Sequence, residues 1–290
     1  MSGSTPQPLG PAPGDDPQAG PPGRSRRAWW WLLVAVLALG LITALVTRPW
    51  EPVETEPTPT VTVTVPPTTE PGSPSASTSV APPGADAVFD PTTALPLFVT
   101  PEDLVAQVPA AKPGVQQLMP SGQLTWGLPA GSTVEPATCT TAVTVVETAP
   151  PWFDAREWGN DAFVLQQEIV LLPDPAAARD AFRTLVTTVD ACPEYRQVNT
   201  GVDGATWTAQ PAIEGQGLYP SIVQEVTHAA EGTSAPSYRG HMLVGNAIVT
   251  WTAESLATGD PDAALATLGD PTSLDAMVQE RAQAAVKALG

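Results

Sequence analysis

Histidine and lysine are almost missing from this 290-residue sequence, with two of each, and cysteine occurs only at Cys139 and Cys192. Two histidines, His228 and His241, cannot supply a dedicated zinc site unless carboxylates complete it. The sequence has no HExxH, P-loop or GxSxG pattern, and its globular part has no SxxK, so the familiar signatures of metalloprotease, nucleotide and acyl-transfer chemistry are absent. Acidic pairs such as those in "GDPD", Gly259 to Asp262, read more simply as helix caps. No metal, no cofactor and no enzymatic activity are expected, the alternative being a hydrolase with an unfamiliar site. Basic residues are also scarce, 12 Lys and Arg against 30 Asp and Glu, for a formal charge of -18. Such a balance disfavours binding nucleic acid or anionic lipid through a broad basic surface, and no nucleic-acid partner is expected.

Long apolar runs are confined to one place. Ala28 to Val46 is nineteen residues without a charge. At about 1.5 Å rise per residue, that length approaches what a bilayer's hydrocarbon core requires. A cleavable signal has a shorter apolar core and a small-x-small cleavage site, whereas this run continues into bulky and β-branched residues, "ITALVTRPW". Lipid anchoring through a cysteine just after the run is excluded, because the first cysteine is Cys139. The "SRR" at Ser25 to Arg27 faintly resembles a twin-arginine export signal, but two arginines also suit any membrane anchor. Arg24, Arg26 and Arg27 precede the run and only Arg48 follows closely, so the positive-inside rule predicts a cytoplasmic N-terminus and an extracytoplasmic remainder.

These patterns divide the chain. Residues 1–27 form a Pro, Gly, Ser and Gln tail with too few apolar residues for a core, expected to be disordered and cytoplasmic, with no room for a kinase or DNA-binding domain. Residues 28–47 are the expected transmembrane signal anchor, and the chain would be a single-pass cell-membrane protein. The tail's three arginines outweigh Asp15 and Asp16 by one, which leaves about -19 beyond the membrane. Residues 48–88, dominated by proline, threonine and serine, read as an extended extracytoplasmic linker. Its "VTVTV" lacks a partner strand, and its threonines could accept O-glycans. The sparse lysine and abundant Ala, Pro, Thr and Val resemble the usage of high-GC Gram-positive type, actinobacterial chains.

Residues 89–290 are long enough for one domain with its own core. Thr100 can cap a short helix that begins at Pro101 and runs to about Val108. "TAVTVVET", Thr141 to Thr148, and "AFVLQQEIVLL", Ala162 to Leu172, are β-branched and apolar and predict strands. Asp174 and Pro175 start a helix whose Ala178, Phe182, Leu185, Val186 and Val189 share a face. "ATWTAQPAI", "SIVQEVTHA", "SYRGHMLV" and "AIVTWTA" predict four more strands, the last two joined by a hairpin turn at Gly245 and Asn246. A closing helix would turn Leu274, Met277, Val278, Ala285 and Leu289 to the sheet. Helices and a terminal antiparallel meander in this order predict an α+β fold, a twisted antiparallel sheet flanked by helices and preceded by one transmembrane helix and a Pro/Thr-rich stalk.

Both cysteines fall in the extracytoplasmic part, where an oxidising compartment allows a Cys139–Cys192 bridge. It would close a loop of just over fifty residues and contribute on the order of 4 kcal/mol in the chain-entropy model. A reactive thiol or metal pair is the alternative, without a CxxC or neighbouring histidine to support it.

The run "QEIVLLPDPAAARDAFRTLVTTVDACPEY", with "GNAIVTW" and a closing helix after it, resembles the PknH-like extracellular domain family. That family is the extracytoplasmic sensor module of a mycobacterial serine/threonine kinase, and occurs also on lipoproteins and short membrane-anchored proteins. The resemblance spans roughly Asp90 to Gly290 and implies an antiparallel sheet, flanking helices and a ligand-receiving cleft. Two departures stand out. No kinase domain precedes the apolar run, and one disulfide is available where the kinase's sensor has two.

Candidate binding residues come from strand geometry. With Gly245 and Asn246 as the turn, His241 faces Thr250 and Arg239 faces Thr252. Alternation then puts Tyr238, Met242, Val244, Val249 and Trp251 on a core face, and Arg239, His241, Thr250 and Thr252, with Leu243 and Ile248, on a mixed polar face. Arg239 and His241 beside hydroxyls would suit a carboxylate or phosphate on a sugar or lipid fragment; the plainer alternative is a wet sheet face. Trp126, Trp152, Trp158 and Trp207 lie in or near loop-like segments such as "PPWFDAREWGND". With Arg156, such tryptophans could stack on sugars, or they could simply be core. The expected function is a membrane-anchored, ligand-binding or sensor-like module that takes an envelope-derived small molecule in a cleft. The alternative is a non-catalytic cell-envelope assembly protein that meets another envelope protein.

Overall fold

A computed structural model describes residues 81–199, 202–230 and 232–290. The expected tail (1–27), membrane anchor (28–47) and linker up to residue 80 lie outside the described residues. Among the described residues no helix is long and apolar enough to cross a membrane.

A short 3-10 turn, Leu95–Leu97, precedes α1 (Pro101–Gln107), β1 (Gln116–Met119) and β2 (Thr133–Glu135). After a 3-10 turn at Pro109–Ala111, a third, Ala137–Cys139, runs into α2 (Thr140–Thr144), then β3 (Trp152–Gly159), β4 (Phe163–Leu171) and α3 (Pro175–Ala191). The remaining strands are β5 (Glu194–Asn199), β6 (Val202–Ala209), β7 (Ile213–Glu214), β8 (Ser221–Ala230), β9 (Thr233–Val244) and β10 (Ala247–Ser255). Helices α4 (Pro261–Leu268) and α5 (Pro271–Leu289) close the chain. Among the described residues the strands form one ten-stranded antiparallel sheet in the order β1-β3-β4-β10-β9-β8-β6-β5-β2, with β7 paired to β8. The fold is therefore α+β, an antiparallel sheet with flanking helices.

Each face of the sheet buries its own core. On the first, Leu165, Ile169, Met242, Val249 and Trp251 pack with Leu97, Phe98, Leu104, Leu265, Leu274 and Val278. On the second, Val170, Ile222 and Ile248 pack with Phe182, Leu185 and Val189 of α3. Asp174 caps α3 by accepting from the Ala176 and Ala177 amides at 2.8 and 2.9 Å, with Pro175 in the first turn. The spacing of Ala178, Phe182, Leu185 and Val189 gives this helix one buried stripe. Burying each of the larger three stabilises the fold by about 1.5–3 kcal/mol. In α1, Thr100 and Asp103 cap each other reciprocally, as Thr-x-x-acid spacing allows. In α5, Leu274, Met277, Val278, Ala282 and Ala285 are buried, whereas Leu289, expected on the core face, is exposed in the last turn.

The Gly245–Asn246 turn closes β9 on β10 in the expected register, Val244 opposite Ala247 and His241 opposite Thr250. Positive φ falls on Gly245 alone, at 56°, and an added Cβ there would lie 2.2 Å from the Ala87 carbonyl oxygen. Asn246 fastens the start of the domain: its side chain accepts from Phe89 N at 2.7 Å and donates to Phe89 O and Leu172 O. Its amide donates to Ala87 O. The ordered fold thus takes in residues just before Val88, where the linker was expected to end. Gln167, fully buried, makes a similar clamp, accepting from Val99 N and donating to Leu97 O.

Two expectations are corrected. Thr141 to Thr148 forms no strand; Thr140–Thr144 is helical and ends at Val145 with φ 68°. The Cys139–Cys192 disulfide, with Cα atoms 5.7 Å apart, ties this segment to the end of α3. Threonine hydroxyls then satisfy nearby carbonyls, Thr140 to Ala137 and Thr144 to Val146, in place of a ladder. Conversely, "WFDAREWG" is no loop but β3, an inner strand between β1 and β4. Its charged residues had masked the alternation, because Asp154 and Arg156 point inward to local partners.

Candidate functional site

The second face of the sheet carries a band of polar residues where an apolar core would continue if α3 covered the whole face. Register places Glu168, Thr250 and His241 in one row, and Glu157, Gln166, Thr252, Arg239 and Gln224 in the next. Val170, Ile248 and Leu243 lie one row nearer to α3, in or against its apolar cluster. Burial falls along β4 on this face: Val170 is buried, while Glu168, Gln166 and Val164 are half-buried. Helix α3 packs on β9 and β10, and α2 lies near enough for the Ala142 carbonyl to accept from Arg239 Nη1 at 3.4 Å.

Arg239 is the hub of this band. Its Nη1 donates to Tyr195 Oη at 2.8 Å and its Nε to Thr252 Oγ1 at 3.3 Å. Tyr195 stacks on Trp207, with centroids 5.6 Å apart, and Trp207 stacks on His228 at 4.8 Å. These three rings are cross-strand neighbours on β5, β6 and β8. His228 Nδ1 lies 4.0 Å from Glu254 on β10. The aromatic stack therefore borders the polar band, with Trp207 and His228 half-buried.

Electrostatics define what the band can do. Burial pushes the Glu168 pKa above the usual carboxylate range, against the pull of Arg239 and a hydrogen bond from Gln166. Burial also raises Glu254; His228 opposes the shift and Glu157 adds to it. His241 goes the other way, lowered to about 3 by burial and then by the Arg239 charge. At neutral pH it is an uncharged imidazole with Nδ1 2.9 Å from Thr250 Oγ1 and a buried Nε2 without a hydrogen-bond partner. Three carboxyl groups, Glu157, Glu168 and Glu254, share the band with one guanidinium, and of them Glu168 is the one that Arg239 acts on.

The eight sequence-derived candidates divide between the two faces. Arg239, Thr252 and Trp207 meet on the half-buried band. His241 and Thr250 belong to its rows but are buried, 1% and 6% exposed, so the expected grip on a carboxylate or phosphate is not assembled from both basic groups. The α2–α3 side of the domain turns what was expected to be an open polar face into a second core. Trp152, Arg156 and Trp158 point to the first face. Trp158 is buried there, tilted against Phe98, and Arg156 lies 4.2 Å over the Phe98 ring and 3.9 Å from Asp154. Trp126 donates to the Thr144 carbonyl at 2.9 Å. Sequence reasoning missed Glu168, Gln166, Tyr195, His228 and Glu254. Alternation in "FVLQQEIVL" marks Gln166 and Glu168 as sharing a face, but only the pairing of β4 with β10 puts them beside Arg239.

No family model matches the sequence, and no curated protein matches it. Among solved structures, the chain is similar to the extracellular domain of PknH from Mycobacterium tuberculosis. The identity is 15%, the match covers 65% of this chain and 93% of that one, and the TM-score is 0.46. It is also similar to the Mycobacterium smegmatis ortholog of Rv0999, at 17% identity, covering 57% of this chain and 86% of that one, with a TM-score of 0.31.

Proposed function

We propose that this chain is a membrane-tethered, extracytoplasmic sensor-like module that binds a small, polar, envelope-derived molecule against the band around Arg239, without catalysing a reaction. The observation that carries the reading is the band itself: half-buried Glu168, Gln166, Thr252 and Arg239, bordered by the Trp207–His228 stack, beside the apolar core that α3 covers on the same face. Burying so many polar groups without full cover costs stability, and a ligand that completes their hydrogen bonds offsets that cost. The Cys139–Cys192 disulfide and the uncharged run before the linker support an exported, anchored protein. A non-catalytic role fits the Thr250–His241 pair, which is sealed from solvent and so is a poor nucleophile and base for an incoming substrate.

The rival reading, an assembly protein that meets another envelope protein, draws on an apolar cavity of about 380 Å³ where Pro82, Ala85, Pro220 and Leu243 converge. Native mass spectrometry of the full chain in detergent, after exposure to envelope extract, separates the two. A bound small mass that is lost in a Gln166→Ala/Trp207→Ala variant, with thermal unfolding still cooperative, supports the sensor-like reading. A co-purifying protein without a bound small mass supports assembly.

A further inference from the structure

At the hairpin end of the sheet, residues 81–87 lie against the Gly245–Asn246 turn as a strap. The strap folds on itself through Ala85 N to Pro82 O and Ala87 N to Gly84 O, both at 3.0 Å, and Asn246 N donates to Ala87 O at 3.0 Å. Gly84, with φ 77°, sits so tightly on α5 that a Cβ there would lie 2.7 Å from Val286 Cγ1. Arg179 of α3 adds a further tie, donating through Nη1 to Ala85 O at 3.2 Å and to Asp86 Oδ1 at 3.3 Å. Sheet, α3 and α5 thus all hold the strap, and the space it bounds is preformed.

That space is the apolar cavity of about 380 Å³, walled on its far side by Tyr219, Pro220 and Leu243. Pro220 is held beside β9 by its carbonyl, which accepts from Leu243 N at 2.9 Å. Tyr219 is held by Gln279, which accepts from its amide and donates to its carbonyl, both at 2.9 Å. Two of the lining residues are donors with capacity to spare. Tyr219 is 2% exposed, and its hydroxyl has no hydrogen-bond partner among the described residues, although its oxygen is not sealed from solvent. Arg179, its side chain 44% exposed, bonds only through Nη1, which leaves Nε and Nη2 without a partner among the described residues. Asp86 is the single acid in the lining, and its carboxylate is 84% exposed at 3.3 Å from the guanidinium. An ion pair so open to water is weak and readily exchanged for another acceptor.

We propose that this cavity binds a monocarboxylate with an unbranched apolar chain of about eight carbons, a length that suits a small-molecule site of this size. The chain packs on Pro82, Ala85, Pro220 and Leu243, and the carboxylate takes the place of Asp86 on the Arg179 guanidinium, whose planar fork matches a carboxylate. The Tyr219 hydroxyl is a second donor for the same head. The lining shares no residue with the Arg239 band, so this site and the proposed function stand or fall separately. A cavity filled in this way is no longer open to a protein partner.

Ligand-observed NMR with octanoate, hexanoate, acetate and octan-1-ol tests this on the full chain in phosphatidylcholine nanodiscs, since detergent would compete for an apolar cavity. Every variant sits in the same nanodiscs, so partition into the bilayer cancels in each comparison. Octanoate should bind, hexanoate about fifteenfold more weakly at about fourfold per methylene, and acetate not at all. Arg179→Gln should weaken octanoate about tenfold and leave octan-1-ol unchanged, a split that a merely structural role would not produce. Tyr219→Phe should weaken octanoate about fivefold. Ala85→Phe, which fills the space from the strap, should block both octanoate and octan-1-ol, and Gln166→Ala/Trp207→Ala should change neither. Octanoate binding no greater than to empty nanodiscs overturns the proposal and leaves the cavity to a protein partner. Octan-1-ol binding as tightly as octanoate, octanoate binding unchanged by Arg179→Gln and Ala85→Phe alike, or its loss in Gln166→Ala/Trp207→Ala overturns it as well.

Discussion

Replacing His241 with Gln removes a buried titrating group and leaves a side chain able to hydrogen-bond Thr250, and the consequence should appear only on acidification. In the folded protein His241 has a pKa of about 3, caused first by burial and then by Arg239. In the unfolded chain it returns to about 6.5. Between those values the unfolded state holds a proton that the folded state refuses, so stability is fully present above about pH 6.5 and is lost as pH falls toward 3. One proton is worth about 1.4 kcal/mol per pH unit, which integrates to about 3 kcal/mol between pH 7 and pH 4. Glu168, raised by burial, contributes the opposite trend over its own window, but it is present in both proteins and cancels in the comparison. Urea unfolding followed by tryptophan fluorescence, at fixed salt and half-unit pH steps, measures the difference. The stability of wild type relative to His241→Gln should fall by about 3 kcal/mol from pH 7 to pH 4. A difference that stays constant across that range would mean that His241 titrates normally, and the account of His241 as sealed from solvent on the second face would be refuted.

Two further outcomes follow from packing and covalent structure. A Cβ on Gly240 would lie 2.3 Å from Trp251 Cε2, and Trp251 is fully buried, so Gly240→Ala should lower stability by about 2 kcal/mol or more. An unchanged urea midpoint would show that the Trp251 ring moves freely, against its place in the first core. Replacing both cysteines with Ala opens a link between residues 53 apart in sequence and should cost about 4 kcal/mol. The same change releases the α2 segment whose Ala142 carbonyl meets Arg239, and hydrogen exchange at residues 140–146 should rise by more than the global loss explains.

On the second face one arginine organises the fold and, in the proposed function, would serve recognition as well. Arg239 draws its bonds from three elements, β5 through Tyr195, β10 through Thr252 and α2 through Ala142. Its charge opposes the upward shift that burial imposes on Glu168 and adds to burial in holding His241 neutral. A ligand on this band would therefore meet a preorganised surface, because the protein's own framework already holds the charges in place.

What the sequence by itself determined was local or pairwise. The cap at Asp174, the stripe from Ala178 to Val189, the Gly245–Asn246 hairpin with His241 opposite Thr250, and the single possible disulfide were all legible. Helix capping, period-3.6 spacing, two-residue turns and a lone cysteine pair carry their geometry within a few residues or a single choice. The tertiary structure alone decided the order β4-β10-β9-β8 and therefore the company Arg239 keeps. It also decided that "TAVTVVET" is a short helix under a disulfide and that "WFDAREWG" is an inner strand with Trp152 and Trp158 turned away from Arg239. Strand order, and which helix roofs which face, depend on contacts between residues tens of positions apart. Alternation in one strand marks two faces but cannot say which of them another element will bury.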